Sequence, residues 1–239
     1  MSFSPEETRR YARHLVLKGV GGAGQQKLKA ARVLVIGAGG LGAPVIAYLA
    51  GAGIGTIGVV DDDTVSLSNL QRQIIHTTAG NGTAKVESAQ AFAAALNPAI
   101  SLVPHRLRLD AANAPGILGD YDLVVEGSDN LPTRRIVAAA AEAQGKPMVS
   151  GAVSMFDGQV TTFLPGGARL VDLYGDMDDS DLPNCEMTGI LGPVTGVIGT
   201  LMAMEVLKLL TGVGEPLVGR VLLYDGRAAR FSEFSYGAG

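Results

Sequence analysis

Hydrophobic positions along the first 150 residues fall into short β-branched runs separated by longer Ala-rich stretches. Arg32–Gly37 (RVLVIG) reads as a buried strand, an Ala-rich helix follows from Leu41 to Ala52, and Thr56–Val60 is the next strand, ending at Asp61. Together they make one βαβ unit with tight joints. After a polar stretch over 61–82, the pattern predicts a helix near 83–96, a strand at Ile100–Val103 and a helix over 111–118. A strand at Leu123–Val125, a helix over 131–144 and a strand at Met148–Ser150 follow. Upstream, residues 5–18 form a predicted helix with Ser4 as cap and Pro5 at its first position, and a second helix lies near 23–30. Beyond Ala152 the period changes. Runs at 158–164, 217–224 and 229–235 alternate as antiparallel strands do, around an acidic loop at 172–181 and a long helix at 191–211.

The predicted fold is therefore α/β: a Rossmann-like mixed sheet, parallel in its N-terminal half and antiparallel in its C-terminal half, flanked by helices. A single domain over 1–239 is expected, with N-terminal helices in 1–30 and a nucleotide-binding half in 31–151. A second half spans 152–239 and contains a crossover loop at about 165–190.

Composition sharpens this picture. A 47% hydrophobic chain with 33 glycines suits a buried parallel sheet under small-residue helices and argues against disorder. A net charge of −4 gives no bulk attraction to nucleic acid or anionic lipid, so any anion site must be local. The apolar stretch Ile190–Met204 stops at Glu205 and reads as a buried helix too short to span a bilayer. The N-terminal MSFSPEETRRYARH lacks the apolar core of a secretion signal, and Cys185 is the only cysteine, so no internal disulfide can form. A soluble cytoplasmic protein is expected, with neither nucleic acid nor membrane as a partner.

The first candidate chemistry is GAGGLG, which sets Gly37, Gly39 and Gly42 in G-x-G-x-x-G spacing between a strand and a helix, with Gly40 inside the turn. Missing side chains there let a phosphate reach backbone N–H groups and the positive helix end. Asp61 ends the second strand, where an acid can accept bonds from ribose hydroxyls. On its own this motif would suit NAD. The segment DDDTVSLSNLQRQ then sets Asp61, Asp62, Asp63, Ser68, Asn69, Leu70, Gln71 and Arg72 beside the nucleotide, and Lys85 follows at the start of the next helix. Two cations near a phosphate-binding helix end suit a triphosphate. Read singly, Arg72 could instead pair with a surface acid and Lys85 could be solvated. Asp129 and Asn130 follow the strand LVVEGS, at the strand end where an open sheet holds its ligand. Asp129 is placed to hold Mg²⁺ or to cap the following helix, or both. Arg9, Arg10 and Arg13 crowd one short helix, which fits either an anion partner or a solvated basic face.

These blocks together resemble the MoeB/ThiF family, relatives of the catalytic half of ubiquitin-activating enzymes. RYARHLVL, RVLVIGAGGLG, GTIGVVDDDTVSLSNLQRQ, KVES, DLVVEGSDN, GAVSMFDGQV, CEMTGILGPVTGVIG and GRVLLYDG carry the resemblance over nearly the whole chain. It implies an ATP-dependent adenylyltransferase that activates the C-terminal glycine carboxylate of a small ubiquitin-like sulfur carrier ending in Gly-Gly. It further implies Gly40 and Asp61 on the nucleotide, Ser68, Asn69, Arg72 and Lys85 around the phosphates, and Asp129, with Asn130 beside it, on Mg²⁺. Arg13 is implied to reach the ATP of the other subunit of a homodimer. Arg13, Arg72, Lys85 and Asp129 are thus the expected catalytic set.

The chain departs from the family in two ways. Many relatives hold a structural zinc on two C-x-x-C pairs, and one cysteine cannot do so; no zinc is expected. Cys185 lies where family members have a crossover-loop cysteine, which implies either covalent bonding to the carrier or a plain buried thiol. No rhodanese-like segment precedes Gly239, so sulfur is expected from a separate sulfurtransferase. The competing readings are an NAD-dependent Rossmann oxidoreductase and a non-catalytic scaffold of the same fold.

Overall fold

The computed structural model describes residues 3–177 and 189–237. Eight strands form one sheet in the order β3-β2-β1-β4-β5-β6-β7-β8. They are β1 (Arg32–Ile36), β2 (Thr56–Val60), β3 (Ser101–His105), β4 (Leu123–Glu126), β5 (Met148–Ser154), β6 (Asp157–Phe163), β7 (Arg220–Asp225) and β8 (Arg230–Ser235). Pairings among β1 to β5 are parallel, and those from β5 through β8 are antiparallel. The predicted switch from parallel to antiparallel falls at the β5–β6 hairpin.

Alternation along β1 explains why the sheet must be covered twice. Val33 and Val35 pack with Leu49, Ile57, Ile198 and Met202 on one face. Leu34 and Ile36 pack with Leu118, Val124, Val137 and Met148 on the other. Such strands have no solvent-facing side, as in sheets with helices on both faces. The covering helices are α3 (Gly21–Ala30), α4 (Gly42–Ala52), α5 (Lys85–Leu96), α6 (Ala114–Gly119) and α7 (Leu131–Ala143). The antiparallel half adds α8 (Leu170–Tyr174) and α9 (Gly192–Thr211).

At 20 residues, α9 matches the long helix expected at 191–211 and is apolar enough to cross a membrane by length and composition alone. It packs on α3, α4, β5 and β6 instead. Glu205 is buried on it and accepts hydrogen bonds from the Leu217 backbone N–H at 2.7 Å and the Thr162 hydroxyl at 2.9 Å.

Three expectations need adjusting. The helix expected over 5–18 is two pieces, α1 (Pro5–Arg10) and α2 (Ala12–Leu15). Tyr11 breaks it, leaving helical angles at φ −96° and ψ 13°. Its buried ring packs over Gly53, and its hydroxyl accepts from Asn97 Nδ2 at 2.9 Å. The polar stretch 61–82 contains two short 3₁₀ turns, at Leu67–Asn69 and Thr78–Gly80. The acidic loop begins with α8, held by the Asp172 carboxylate accepting from the Arg169 N–H at 2.7 Å. Cys185 and residues 178–188 of the expected crossover loop lie outside the described residues.

Candidate functional site

Strands β1 and β4 are neighbours in the sheet although β2 and β3 intervene in the chain. From β1 the chain winds outward to β2 and β3; from β4 it winds the other way to β5. A crevice opens beyond the carboxyl ends of strands at such a reversal. Here its volume is about 990 Å³, and its lining includes Gly37, Gly39, Gly40, Asp61, Asn69, Arg72, Lys85, Asp129 and Asn130. That volume is enough for a nucleotide-sized ligand. Nine of the expected residues, far apart in the chain, converge on one cleft.

The turn itself is tightly determined. Gly37 has φ +91°, and a Cβ on Gly42 would overlap the Gly37 carbonyl oxygen. Gly42 does not line the crevice; it lets the first turn of α4 close onto the end of β1. The Asp61 carboxylate accepts from the backbone N–H of Ala38 at 2.8 Å and of Asp63 at 2.9 Å. It therefore braces the glycine turn as well as lining the cleft.

The cations differ in their ties. Arg72 donates to the Ser68 carbonyl at 3.3 Å and to Asn69 Oδ1 at 3.2 Å, and no carboxylate lies in ion-pair reach of it among the described residues. The reading in which Arg72 pairs with a surface acid is not what the structure has. Arg72 lines the crevice with no carboxylate compensating its charge among the described residues. Lys85 is only 4% exposed, so it is not a solvated helix residue, and its ammonium sits 2.8 Å from Asp63 Oδ2.

Asn130 caps α7, its Oδ1 accepting from the Thr133 N–H at 2.9 Å, and its Nδ2 donates to Asp129 Oδ1 at 3.1 Å. With capping done by Asn130, the exposed Asp129 carboxylate is left facing the cleft. Among the described residues no three His, Cys, Asp or Glu side chains gather as a metal cage. Mg²⁺ does not need one, since it takes one or two carboxylates and completes its shell with phosphate oxygens and water. The donor set fits that ion.

Ser68, Leu70 and Gln71 do not line the crevice, although they belong to the same motif. Ser68 shares a hydrogen bond with Ser66 at 3.0 Å; Gln71 is exposed and donates to the Ile190 carbonyl at 3.5 Å. The turns from Leu67 to Arg72 bring Asn69 and Arg72, three residues apart, to the cleft and send Ser68, Leu70 and Gln71 away from it. Arg13 is exposed on α2 and does not line this chain's cleft either, while its neighbour Arg10 is tied to Glu6 and to the Leu96 carbonyl.

Residues not singled out from sequence complete the site. His76 is buried and bonds through Nε2 to the Ala38 carbonyl and through Nδ1 to the Ser88 hydroxyl, both at 2.9 Å. A carbonyl can only accept, so Nε2 carries the proton and Nδ1 accepts from Ser88. Burial depresses the imidazole pKa below its usual range, and Lys85 adds to that. Arg134 lines the crevice and pairs with buried Glu126 at 2.7 Å. It also donates to the carbonyls of Ser128 and Gly151 and to the Tyr174 hydroxyl. The sequence signal for it was an arginine one turn into a helix that follows a strand-end acid.

Comparison with known proteins follows the same lines. The chain matches the ThiF family over residues 11–238. It belongs to the ThiF family. Among relatives in sequence, this ThiF-family chain is 44% identical over 247 residues to a sulfur carrier protein adenylyltransferase of Thermus thermophilus, covering 98% of this chain and 89% of that one. It is 43% identical to a SAMP-activating enzyme E1 of Haloferax volcanii, covering 99% and 88%. It is 46% identical to a probable adenylyltransferase/sulfurtransferase, MoeZ, of Mycobacterium tuberculosis, covering 94% of this chain but only 59% of the relative's length. Among solved structures, PaaA superposes with a TM-score of 0.85 at 24% identity, over 99% of this chain and 76% of that one. Escherichia coli MccB with ATP superposes at 0.82 and 22%, over 99% and 73%. At those identities the structural likeness speaks to the fold.

Proposed function

We propose that this ThiF-family protein is an adenylyltransferase: it transfers AMP from ATP to the C-terminal glycine carboxylate of a ubiquitin-like sulfur carrier and releases pyrophosphate. The observation that carries this reading is the convergence of Arg72, Lys85 and Asp129 on the glycine-turn cleft. The names of the relatives from Thermus thermophilus and Haloferax volcanii, matched over nearly the full chain, support it. They lend nothing to a nicotinamide-dependent reaction.

The chemistry asks for position and charge. A terminal carboxylate is already ionised at neutral pH and needs no general base. Its attack on the α-phosphorus displaces pyrophosphate, whose growing charge must be met where it forms. Arg72 holds a guanidinium at the cleft without a neutralising acid among the described residues, and Lys85 is kept among phosphate-facing groups by its bond to Asp63. Asp61 orders the turn whose N–H groups face the phosphates. Asp129 would hold Mg²⁺, which when bound screens the triphosphate oxygens and steadies the leaving pyrophosphate. A carrier tail ending in Gly-Gly brings no side chains to obstruct its entry to the crevice, whose lining includes Ser154, Asp157 and Gln159 of the β5–β6 hairpin.

The same reading includes a homodimer with Arg13 reaching the partner's nucleotide. Arg13 stands outside its own chain's cleft, and Val16, Leu17, Tyr48, Ile74, Leu191 and Met204 leave apolar surface exposed. The sulfur donor is a separate sulfurtransferase, and the protein acts in the cytoplasm.

The decisive experiment is ATP–pyrophosphate exchange with purified carriers of the molybdopterin and thiamine kinds, with intact-mass detection of the carrier–AMP adduct. Exchange is expected only with a carrier present, and Arg72→Ala should lower it on the order of a hundredfold. No exchange with any Gly-Gly carrier would refute the assignment.

A further inference from the structure

Two side chains fix the peptide groups on either side of Ala38, a fully buried residue of the glycine turn. The Ala38 N–H donates to Asp61 Oδ2 at 2.8 Å, so that amide is already spent. The Ala38 carbonyl accepts from His76 Nε2 at 2.9 Å. A trans peptide is planar, with its C=O and N–H pointing in opposite directions. The bond from His76 therefore also aims the next amide, the N–H of Gly39, away from the imidazole. Gly39 lines the crevice, whereas Ala38 and His76 do not. Among the described residues the Gly39 N–H has no backbone partner. It is left for a ligand.

Without the bond to His76 this peptide plane can turn over, through paired changes in ψ of Ala38 and φ of Gly39. Glycine accepts φ of either sign, so the flipped form carries little backbone penalty. It would present a carbonyl oxygen to the crevice in place of an N–H, and an oxygen there repels the anion that an N–H attracts. The imidazole that selects the orientation is itself pinned. It is 6% exposed, its Nδ1 accepts from the Ser88 hydroxyl at 2.9 Å, and its backbone N–H donates to the Gln73 carbonyl at 3.0 Å. Ser88 lies one turn along α5 from Lys85, and Arg72 lies four residues before His76. One ring thus ties the glycine turn to both cation-bearing segments of the cleft.

We propose that His76 is a positioning residue for adenylyl transfer: by holding the Ala38 carbonyl, its Nε2–H keeps the Gly39 N–H turned toward the nucleotide. This rests on the adenylyltransferase reading of the site. His76 touches neither ATP nor carrier and moves no proton. What it supplies is a donor at one distance and in one direction, so a replacement works only if its own donor reaches the same carbonyl.

The test compares His76→Gln, His76→Asn and His76→Leu with wild type by calorimetry, using ATP and AMP as probes. Ligand-free melting temperatures establish that each variant is folded. A glutamine amide nitrogen reaches as far from the backbone as imidazole Nε2, whereas an asparagine amide reaches only as far as Nδ1. His76→Gln should therefore restore affinity for both nucleotides to within about threefold of wild type, less than the worth of one such bond. His76→Asn and His76→Leu should each lose about ten- to a hundredfold, the range for a hydrogen bond to a charged group.

Equal affinities in folded Gln and Asn variants overturn the inference, since the reach of the donor would then be immaterial. Wild-type affinity in His76→Leu overturns it as well. Failure of both the Asn and Leu variants to fold does the same, because the bond would then serve the fold rather than the cleft. If wild type itself binds neither ATP nor AMP, the adenylyltransferase reading fails first, and that result is distinct from the others.

Discussion

Single residues at the turn set how the cleft answers to pH and to substitution. His76 has its pKa depressed by burial below the ordinary value of 6.5. A histidine held neutral in the fold imposes no cost above its unfolded pKa. As pH falls below 6.5, the unfolded chain takes up the proton more readily than the native one, and stability declines until the native pKa is passed. The melting temperature should therefore fall on acidification through that window, and His76→Gln should flatten the decline. Unchanged curves would show that His76 is not the group responsible. Gly42→Ala is expected to cost several kcal/mol and to abolish nucleotide binding, since its methyl group would overlap the Gly37 carbonyl and force the turn open. Chemical denaturation and calorimetry would measure both effects. Sequence gave good access to such positions where spacing carries meaning, as in GAGGLG and the acid ending β2. It gave none to His76, because a role that comes from a bond to Ala38, 38 residues away, leaves no local pattern.

Elements show where the balance of charge is struck. Buried Glu126, at the end of β4, is matched by Arg134 on α7, which also reaches Gly151 on β5 and Tyr174 on α8. One guanidinium thus joins the parallel half to the antiparallel half. Removing it by Arg134→Met leaves a carboxylate in the core and should destabilise by about 3–5 kcal/mol. The double variant Glu126→Gln/Arg134→Met should recover much of that loss in denaturant titrations, which would separate charge burial from lost packing. Strand and helix order was legible from periodicity because buried parallel strands and small-residue helices have distinct patterns. The break at Tyr11 was not, because it depends on a ring docking over Gly53, 42 residues away. Nor was α8, which rests on a single side-chain cap within an acidic segment.

At the scale of the whole molecule, Arg13 gives the shared-site reading its sharpest check. Arg13→Ala and Asp129→Ala subunits, each inactive alone, should regain about one working site per mixed dimer when combined. Exchange activity that stays absent after mixing, with mixed dimers verified by mass, would argue against an arginine supplied in trans. The fold was readable in the sequence through the parallel-to-antiparallel change, whereas the crevice needed three dimensions, since its walls come from separated segments spread from Ile36 to Phe234. The two margins of the sheet are also unlike. β3 carries Pro104, which has no N–H to offer a neighbour, while β8 (RFSEFS) contains no proline and all six of its residues are exposed. Recruitment of an extended peptide by backbone pairing is therefore polarised: a newcomer finds an uninterrupted series of amide donors and acceptors on the β8 flank, and the β3 flank discourages it.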